Sequence, residues 1–261
     1  MRLDSIWQYP IKSCKGIQVL NAETTAEGFR HDRRYMWVLD NGRFVTQREF
    51  PMMGQVDVAV TDQGLNLVID DQEIVVDQDD FTQSRQVQVW KDSPVAQIYE
   101  GDANNLMSGL LGLPVKLALL PVKQRPISDQ SAEGHVSFAD GLPYLITNLA
   151  SLRDLNDRLE EPVTMERFRP NIVVDNDIAF DEDNWDRIEI GSVKFRAVKP
   201  CSRCVMVTVN PATAEKHPTA EPLKTLSSYR MTEPGKIIFG MNMIVEKEGV
   251  ISQDDEVRLL D

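Results

Sequence analysis

The stretch VDVAVTDQGLNLVIDDQEIVVD, residues 56–77, decides the fold class of the N-terminal half. Three short apolar runs are separated there by Asp62-Gln63-Gly64 and by Asp70-Asp71. In the first run, valines alternate with Asp57 and Ala59, which is typical of a half-buried strand. Short strands joined by tight turns predict a sheet that curls or closes on itself.

The same pattern continues on both sides of this stretch. Asn41-Gly42 lies between MWVLD and RFVTQ, and it predicts a hairpin with a type I′ turn. One helix is predicted over residues 101–113 and another from Pro222 onward. Between them, Thr147 or Asn148 can cap a third helix, which carries leucines up to Leu159 on one face. Further strands are predicted at NIVV, RIEIG, VKFRAV, VMVTV, MNMIVE and EVRLL. The sequence therefore predicts a mainly β protein with a few helices, of the α+β class.

Residues 121–141 are polar and rich in proline, glycine and serine. This composition predicts a linker or a mobile loop. It divides the chain into a β-rich region of residues 1–120 and a second region of residues 121–261.

The chain has 261 residues, with 28 Lys and Arg against 41 Asp and Glu, so its formal net charge is −13. Such an acidic chain is repelled by nucleic acids and by anionic membranes, and we expect neither as a partner. We find no secretory signal pattern and no apolar run long enough for a transmembrane helix. Only three cysteines are present, which favours a reducing, cytoplasmic location over a disulfide framework.

The most distinctive local motif is KPCSRC, residues 199–204, in which Cys201 and Cys204 form a C-x-x-C pair. A zinc site needs four ligands, and Cys14 and the three histidines show no matching spacing. A thioredoxin-like pair requires a helix after the motif, whereas VMVTV predicts a strand. The remaining interpretations are a single reactive or metal-binding thiolate, favoured by Arg203 and its basic neighbours, and two buried, inert cysteines.

Three further clusters concentrate positive charge in this acidic chain. YPIKSCKG, residues 9–16, places Lys12 and Lys15 around Ser13, an arrangement suited to a phosphate or to an ordinary exposed turn. Strand alternation predicts that Arg33 and Tyr35 share one face of the next cluster, HDRRYMWVLDNGRFVTQREFP at residues 31–51. RFRPNIVV, residues 167–174, ends the series. The guanidinium groups of arginine and the amide of asparagine can bind anions and pterins, although ordinary solvent-exposed charge explains the same pattern.

Familiar catalytic motifs are absent from the sequence: G-x-S-x-G, the P-loop, G-x-G-x-x-G and H-E-x-x-H. The carboxylates show no paired spacing that would mark an acid and a base. Asp140, in FADGLP, is the acidic residue that we single out as a site candidate.

In the order YPIKSCKG, DRRYMWV, FVTQREFP, FRPN, KPCSRC, the motifs resemble those of the MOSC (molybdenum cofactor sulfurase C-terminal) domain family. The resemblance is strongest to the branch with an N-terminal MOSC β-barrel domain. That branch includes the mitochondrial amidoxime-reducing component and bacterial proteins that detoxify N-hydroxylated bases. It implies an N-terminal β-rich domain packed on a C-terminal MOSC β-barrel, with the site in the cleft between them.

The resemblance also implies a molybdenum cofactor, a metal bound by the dithiolene of a pterin (molybdopterin). By motif match, Cys204 is the protein ligand of the metal and a catalytic residue, and Asp140 is an acidic residue near the cofactor. Gly141 and Leu142 follow Asp140 where some relatives carry small hydroxylated residues. The implied cofactor-binding residues are Lys12, Ser13, Arg33, Arg48, Arg169, Asn171 and Arg203.

The implied activity is the reduction of small N-hydroxylated compounds. With three cysteines the chain cannot hold its own four-cysteine iron–sulfur cluster, so we expect electrons from a separate flavin or iron–sulfur protein. Two alternatives remain open at this point. One is a sulfur carrier that uses a Cys204 persulfide, and the other is a molybdopterin-binding module without turnover.

Overall fold

In the computed structural model, residues 56–77 form an antiparallel three-stranded meander, as the sequence predicts. Its last two strands are joined by Asp70 and Asp71, which both adopt the positive φ of a type I′ turn. The structure describes residues 1–127, 129–233 and 235–260. Its strands are β1 Arg2–Gln8, β2 Ile17–Val19, β3 Asn21–Thr25, β4 Gly28–Phe29, β5 Tyr35–Val38, β6 Asp57–Thr61, β7 Gly64–Ile69, β8 Gln72–Asp77, β9 Phe81–Gln86, β10 Val95–Tyr99, β11 Lys116–Leu119, β12 Tyr144–Asn148, β13 Ile172–Asp175, β14 Arg187–Ile190, β15 Val193–Ser202, β16 Met231–Glu233, β17 Lys236–Lys247, β18 Val250–Ser252 and β19 Val257–Leu260.

The helices are few and short, which confirms the predicted fold class. The α-helices within the described ranges are α1 Asp102–Leu111, α2 Leu149–Asn156 and α3 Leu223–Tyr229, and short 3-10 helices lie at Pro51–Gln55, Gln78–Asp80, Met165–Phe168, Asp181–Asn184 and Val205–Thr208. The Asn148 side chain caps α2, as predicted, by accepting a hydrogen bond from the Ala150 N–H. That helix ends at Asn156, however, so the prediction that Leu159 lies on it is wrong. No helix in the described part of the chain is long and apolar enough to cross a bilayer.

The largest sheet forms the C-terminal barrel. Its strand order is β19-β14-β15-β17-β12-β13-β1-β2, with β16 paired to β17. An antiparallel bridge from Arg2 of β1 to Glu256, just before β19, brings the two sides of the sheet together. Side chains such as Ile6, Phe195 and Met243 fill the core between these strands.

The N-terminal half contributes smaller sheets, β5-β11-β10-β9 and β6-β7-β8, and a third sheet, β18-β3-β4, joins the two ends of the chain. The core of the N-terminal half includes Trp37, Leu67 and Met107, the last of which lies on α1. Strand β1 belongs to the first 120 residues but pairs with β13 from the second region. The division at residue 120 stays a prediction, and the barrel sheet extends across it.

The turn at Asn41-Gly42 differs from the prediction. The Leu39 N–H bonds to the Arg43 carbonyl and only Gly42 has a positive φ, 82°. The connection is therefore a three-residue loop with glycine in the left-handed position, and the predicted type I′ turn is wrong.

Residues 121–127 and 129–141, the described part of this segment, have no long regular element, as predicted for a loop, but they are not loosely attached. Arg125, Val136 and Phe138 are all at most 2% exposed. The hydrogen bonds of Arg125 explain why this polar segment packs against the fold, as described below.

Candidate functional site

All nine predicted site residues line one cavity of about 590 Å³. They come from both regions of the chain, because β1 pairs with β13, and β13 belongs to the same sheet as β15 and β17. Their individual roles stay predictions. The residues are Lys12, Ser13, Arg33, Arg48, Asp140, Arg169, Asn171, Arg203 and Cys204.

Cys204 presents an exposed thiol to this cavity. It follows the end of β15, and the Arg48 Nε donates a hydrogen bond to its Sγ at 3.4 Å. The predicted strand at VMVTV is wrong, because Val205–Thr208 form a 3-10 turn. The alternation of valines suggested a strand, but Val207 packs inside while Val205 is left half-exposed.

Arg48 links the Cys204 thiol to Asp140. The Arg48 Nη2 donates to Asp140 Oδ2 at 3.4 Å. Trp90 adds a third contact, since its indole N–H donates to Asp140 Oδ1 at 3.2 Å and its ring lies 4.7 Å from the Arg48 guanidinium carbon. Desolvation opposes ionisation of this carboxyl, but Lys12 and Arg48 hold the pKa of Asp140 well below its usual range. Asp140 is therefore a carboxylate, and a hydrogen-bond acceptor, at neutral pH.

Lys12 is a buried cation on the floor of the cavity. Its Nζ donates to the Phe138 carbonyl at 2.6 Å and to Asp140 Oδ1 at 2.5 Å. Burial lowers the pKa of Lys12 to about 8, although the Asp140 carboxylate opposes this fall. Lys12 stays largely protonated at pH 7, and an anion in the cavity would hold it so.

Arg33 and Arg169 contact the same aromatic ring. The guanidinium carbon of each lies 4.2 Å from the ring centroid of Tyr9, which is 2% exposed. The Arg169 Nη1 also donates to the Cys14 carbonyl at 2.8 Å. Burial lowers the pKa of Arg169 to about 10, so it remains a cation at neutral pH. Cation–π contact with Tyr9 therefore holds two positive charges at one side of the cavity.

Asn171 lines the cavity, but its amide contacts protein groups. Its Oδ1 accepts from Arg33 Nη1 at 3.1 Å and from the Leu145 N–H at 3.3 Å, and its Nδ2 donates to the Trp7 carbonyl. The residue is 2% exposed. These contacts indicate that Asn171 orients Arg33.

Arg203 is held by two neighbours in the same cavity. Its Nη1 donates to Cys201 Sγ at 2.9 Å and its Nη2 to the Phe168 carbonyl at 2.6 Å. Its buried Nε has no hydrogen-bond partner among the described residues. This leaves a donor in a cation-rich cavity without a protein acceptor.

Several site residues have a strained backbone. Ser13, Arg33 and Arg169 have φ values of 69°, 48° and 53°, the left-handed region that few non-glycine residues adopt. Arg33 precedes β5, so the prediction that it alternates with Tyr35 along one strand is wrong. Strained residues of this kind cluster at functional sites.

The sequence did not point to Arg125, which is 2% exposed. Its Nε donates to Asp92 at 2.7 Å, its Nη1 to the carbonyls of Ser137 and Ala139, and its Nη2 to the Asp140 carbonyl. One buried side chain thus holds the segment with Asp140 against the turn with Trp90. No local pattern distinguishes such an arginine from a solvated one.

Within the described ranges, no three His, Cys, Asp or Glu side chains come together as a metal-binding group. A zinc site of protein ligands has no support at this cavity.

In this mainly β chain, an exposed thiol thus lies in a cavity lined by lysine and arginine side chains. The family model "MOSC domain" matches residues 133–258, and "MOSC N-terminal beta barrel domain" matches residues 1–114. The chain belongs to the MOSC-domain family, in the branch with the N-terminal β-barrel domain.

Curated relatives support this assignment. The mitochondrial amidoxime-reducing component 1 of Homo sapiens is 34% identical over 98% of this chain and 82% of the relative. The protein of the same name in Mus musculus is 33% identical over 98% of this chain and 81% of the relative. The molybdenum cofactor sulfurase of Oryza sativa subsp. japonica is 27% identical over 98% of this chain but 34% of its own length.

Proposed function

We propose that this protein is a molybdenum-cofactor-dependent reductase of small N-hydroxylated compounds. One observation carries the proposal. In a chain with a net charge of −13, the exposed Cys204 thiol lies in a cavity that gathers Lys12, Arg33, Arg169 and Arg203. The names of the relatives, amidoxime-reducing components and a molybdenum cofactor sulfurase, support the same chemistry.

The residues present fit a pterin cofactor with a phosphate and a metal. Lys12 and Arg169 are desolvated cations, and the buried Arg203 Nε lacks an acceptor that an anionic ligand would provide. A thiolate such as that of Cys204 is a soft ligand suited to a thiophilic metal. Lys12, Ser13, Arg33, Arg48, Arg169 and Arg203 would bind the cofactor, with Asn171 orienting Arg33.

When bound, the cofactor supplies the two electrons that, with two protons, convert N–OH into N–H and water. Asp140 stays ionised in the same cavity as Cys204, so it would accept hydrogen bonds from the amino group of an amidoxime and orient it. Arg48 donates to both Cys204 and Asp140, which fixes the carboxylate relative to the thiol. The cavity is open at Cys204, because that residue is exposed.

The electrons would come from a separate flavin or iron–sulfur protein, since the chain has three cysteines and Cys14 is fully buried. We propose a cytoplasmic location, with no nucleic acid or membrane partner. The acidic net charge supports the absence of a nucleic-acid partner.

The test is to express the wild type, Cys204→Ala and Cys201→Ala with molybdate in a host that makes the cofactor. Molybdenum is measured by mass spectrometry, pterin by its oxidised fluorescent form, and benzamidoxime reduction with reduced methyl viologen as donor. We expect near-stoichiometric metal and pterin in the wild type, with loss of metal and activity in Cys204→Ala. Loss of metal only in Cys201→Ala would overturn the ligand assignment.

The same samples separate the two alternatives. A mass increase of roughly 32 Da on Cys204, about one sulfur atom, without molybdenum would indicate a persulfide carrier and overturn the proposal. Bound pterin and metal without reduction of any N-hydroxylated compound would indicate a binding module.

A further inference from the structure

Trp90 occupies a backbone conformation that is unusual for a tryptophan. Val89 and Asp92 exchange both backbone hydrogen bonds, at 3.0 Å each, so Trp90 and Lys91 form a two-residue turn. Trp90 has a φ of 54°, and Lys91 is not among the residues with positive φ. This is the pattern of a type II′ turn, whose first position normally carries glycine. A bulky residue there is a strained outlier.

The indole of Trp90 lies against two residues that line the cavity. These residues are Arg48 and Asp140, and Arg48 also donates a hydrogen bond to the Cys204 thiol. Its ring also meets Phe44 edge to face, with centroids 5.2 Å apart and an interplanar angle of 66°. Trp90 nonetheless remains 42% exposed.

The turn is fixed relative to the catalytic residues. Asp92, which closes it, accepts from the buried Arg125, and the same guanidinium donates to the Asp140 carbonyl. The indole is therefore held in place even though it is exposed. A large, rigid aromatic surface at an open site costs little entropy when a planar ligand stacks on it.

Burial does not account for this arrangement, because nearly half of the residue faces solvent and a glycine would relieve the strain. Strain that the surrounding structure maintains is a sign of function. We propose that Trp90 determines substrate specificity, by stacking on the planar part of N-hydroxylated substrates whose N–OH group points toward Cys204. The inference rests on the proposed function and narrows its substrate class to compounds with a planar, aromatic carrier.

The experiment compares benzamidoxime, which is aromatic, with acetamidoxime, which carries the same reacting group on a methyl. The variants are Trp90→Phe, Trp90→Leu and Trp90→Gly, all loaded with cofactor. Glycine suits the positive φ, so Trp90→Gly removes the ring and keeps the turn. Lys91→Ala, at the exposed second position, is the matched control.

We expect Trp90→Leu and Trp90→Gly to raise KM for benzamidoxime about 5- to 10-fold, with kcat within about 2-fold, as loss of one stacking contact predicts. KM for acetamidoxime should change less than about 2-fold, and Trp90→Phe should be intermediate. The inhibition constant of the product benzamidine should rise in parallel, which reports binding without turnover.

Equal changes for both substrates, or no change in either variant, would overturn the role of Trp90 while leaving the proposed function intact. If the loaded wild type reduces neither amidoxime, the proposed function fails. Benzamidine binding, measured by titration calorimetry, then still tests stacking on Trp90. Weaker binding in Trp90→Gly supports it, and unchanged binding overturns it.

Discussion

Replacing Lys12 with methionine should remove cofactor binding and leave the empty fold equally or more stable. Burial lowers the pKa of Lys12 from 10.5 to about 8, and its side chain is 7% exposed. At 1.36 kcal/mol per pKa unit, keeping this lysine charged at pH 7 costs the fold about 3 kcal/mol. Methionine has a similar shape and no such cost, but it leaves the Phe138 carbonyl without its donor, a loss of about 1–3 kcal/mol. The expected net effect is a gain of roughly 0–2 kcal/mol at pH 7.

The pH dependence gives the sharper test, because the lost hydrogen bond contributes equally at each pH. The folded-state pKa of Lys12 is lowered, so the unfolded chain binds more protons between about pH 8 and 10.5. The wild type therefore gains stability as pH rises through this range, and the variant does not. From pH 7 to 9.5, the advantage of Lys12→Met should shrink by about 2 kcal/mol.

The measurement is urea unfolding of cofactor-free wild type and Lys12→Met at pH 7 and pH 9.5, with pterin content determined separately on loaded samples. Lys91→Met, at an exposed position, is the control. A stability difference that does not change with pH would refute the argument that the cavity keeps a desolvated charge. Normal pterin content in Lys12→Met would refute its role in binding.

Three further changes test other parts of the structure. Burial raises the pKa of the fully buried Glu182 to about 7, so the fold loses stability as pH rises from about 4.5 to 7. Glu182→Gln should therefore be about 2–3 kcal/mol more stable than the wild type at pH 8. Thermal unfolding at pH 4.5 should show no such gain. Arg125→Ala breaks the buried ion pair with Asp92 and should lower the free energy of urea unfolding by about 3–5 kcal/mol. Arg153→Ala removes the exposed pair with Asp175 and should cost under about 1 kcal/mol. Similar costs for both variants would contradict the structural role of Arg125. Asn171→Ala should cost about 1–3 kcal/mol and lower pterin content by releasing Arg33, and wild-type pterin content would show that Arg33 needs no support from it.

The sequence predicts those elements whose burial follows a local rule. In residues 56–77 one face of each strand is buried, so alternation and turn residues suffice to locate β6, β7 and β8. The prediction fails at VMVTV, where the same alternation occurs but Val205 faces solvent and the chain turns after Cys204. Periodicity alone does not reveal which neighbours a valine will find.

The site residues also divide into those that a local motif predicts and those that depend on contacts distant in sequence. Lys12, Arg33 and Arg169 lie in basic motifs that stand out in an acidic chain, and the resemblance of those motifs to the MOSC family is what marks them as site residues. Arg125 and Trp90 are not marked in this way, because their contacts join residues far apart in sequence: Arg125 reaches back 33 residues to Asp92, and Trp90 reaches forward 50 residues to Asp140. The type I′ turn predicted at Asn41-Gly42 is found at Asp70-Asp71 instead. Aspartate can form such a turn because it also tolerates the left-handed conformation.

The position of β1 in the C-terminal barrel limits how this protein can be taken apart. Cutting the chain between the two family-model matches would separate β1 from β13, leaving unpaired backbone on both fragments. Exposed strand edges of this kind recruit other chains, so each fragment should aggregate when produced alone and fold only when the two are co-expressed. The two matched regions are thus separable in sequence comparison but form one unit for expression, recombination and domain exchange.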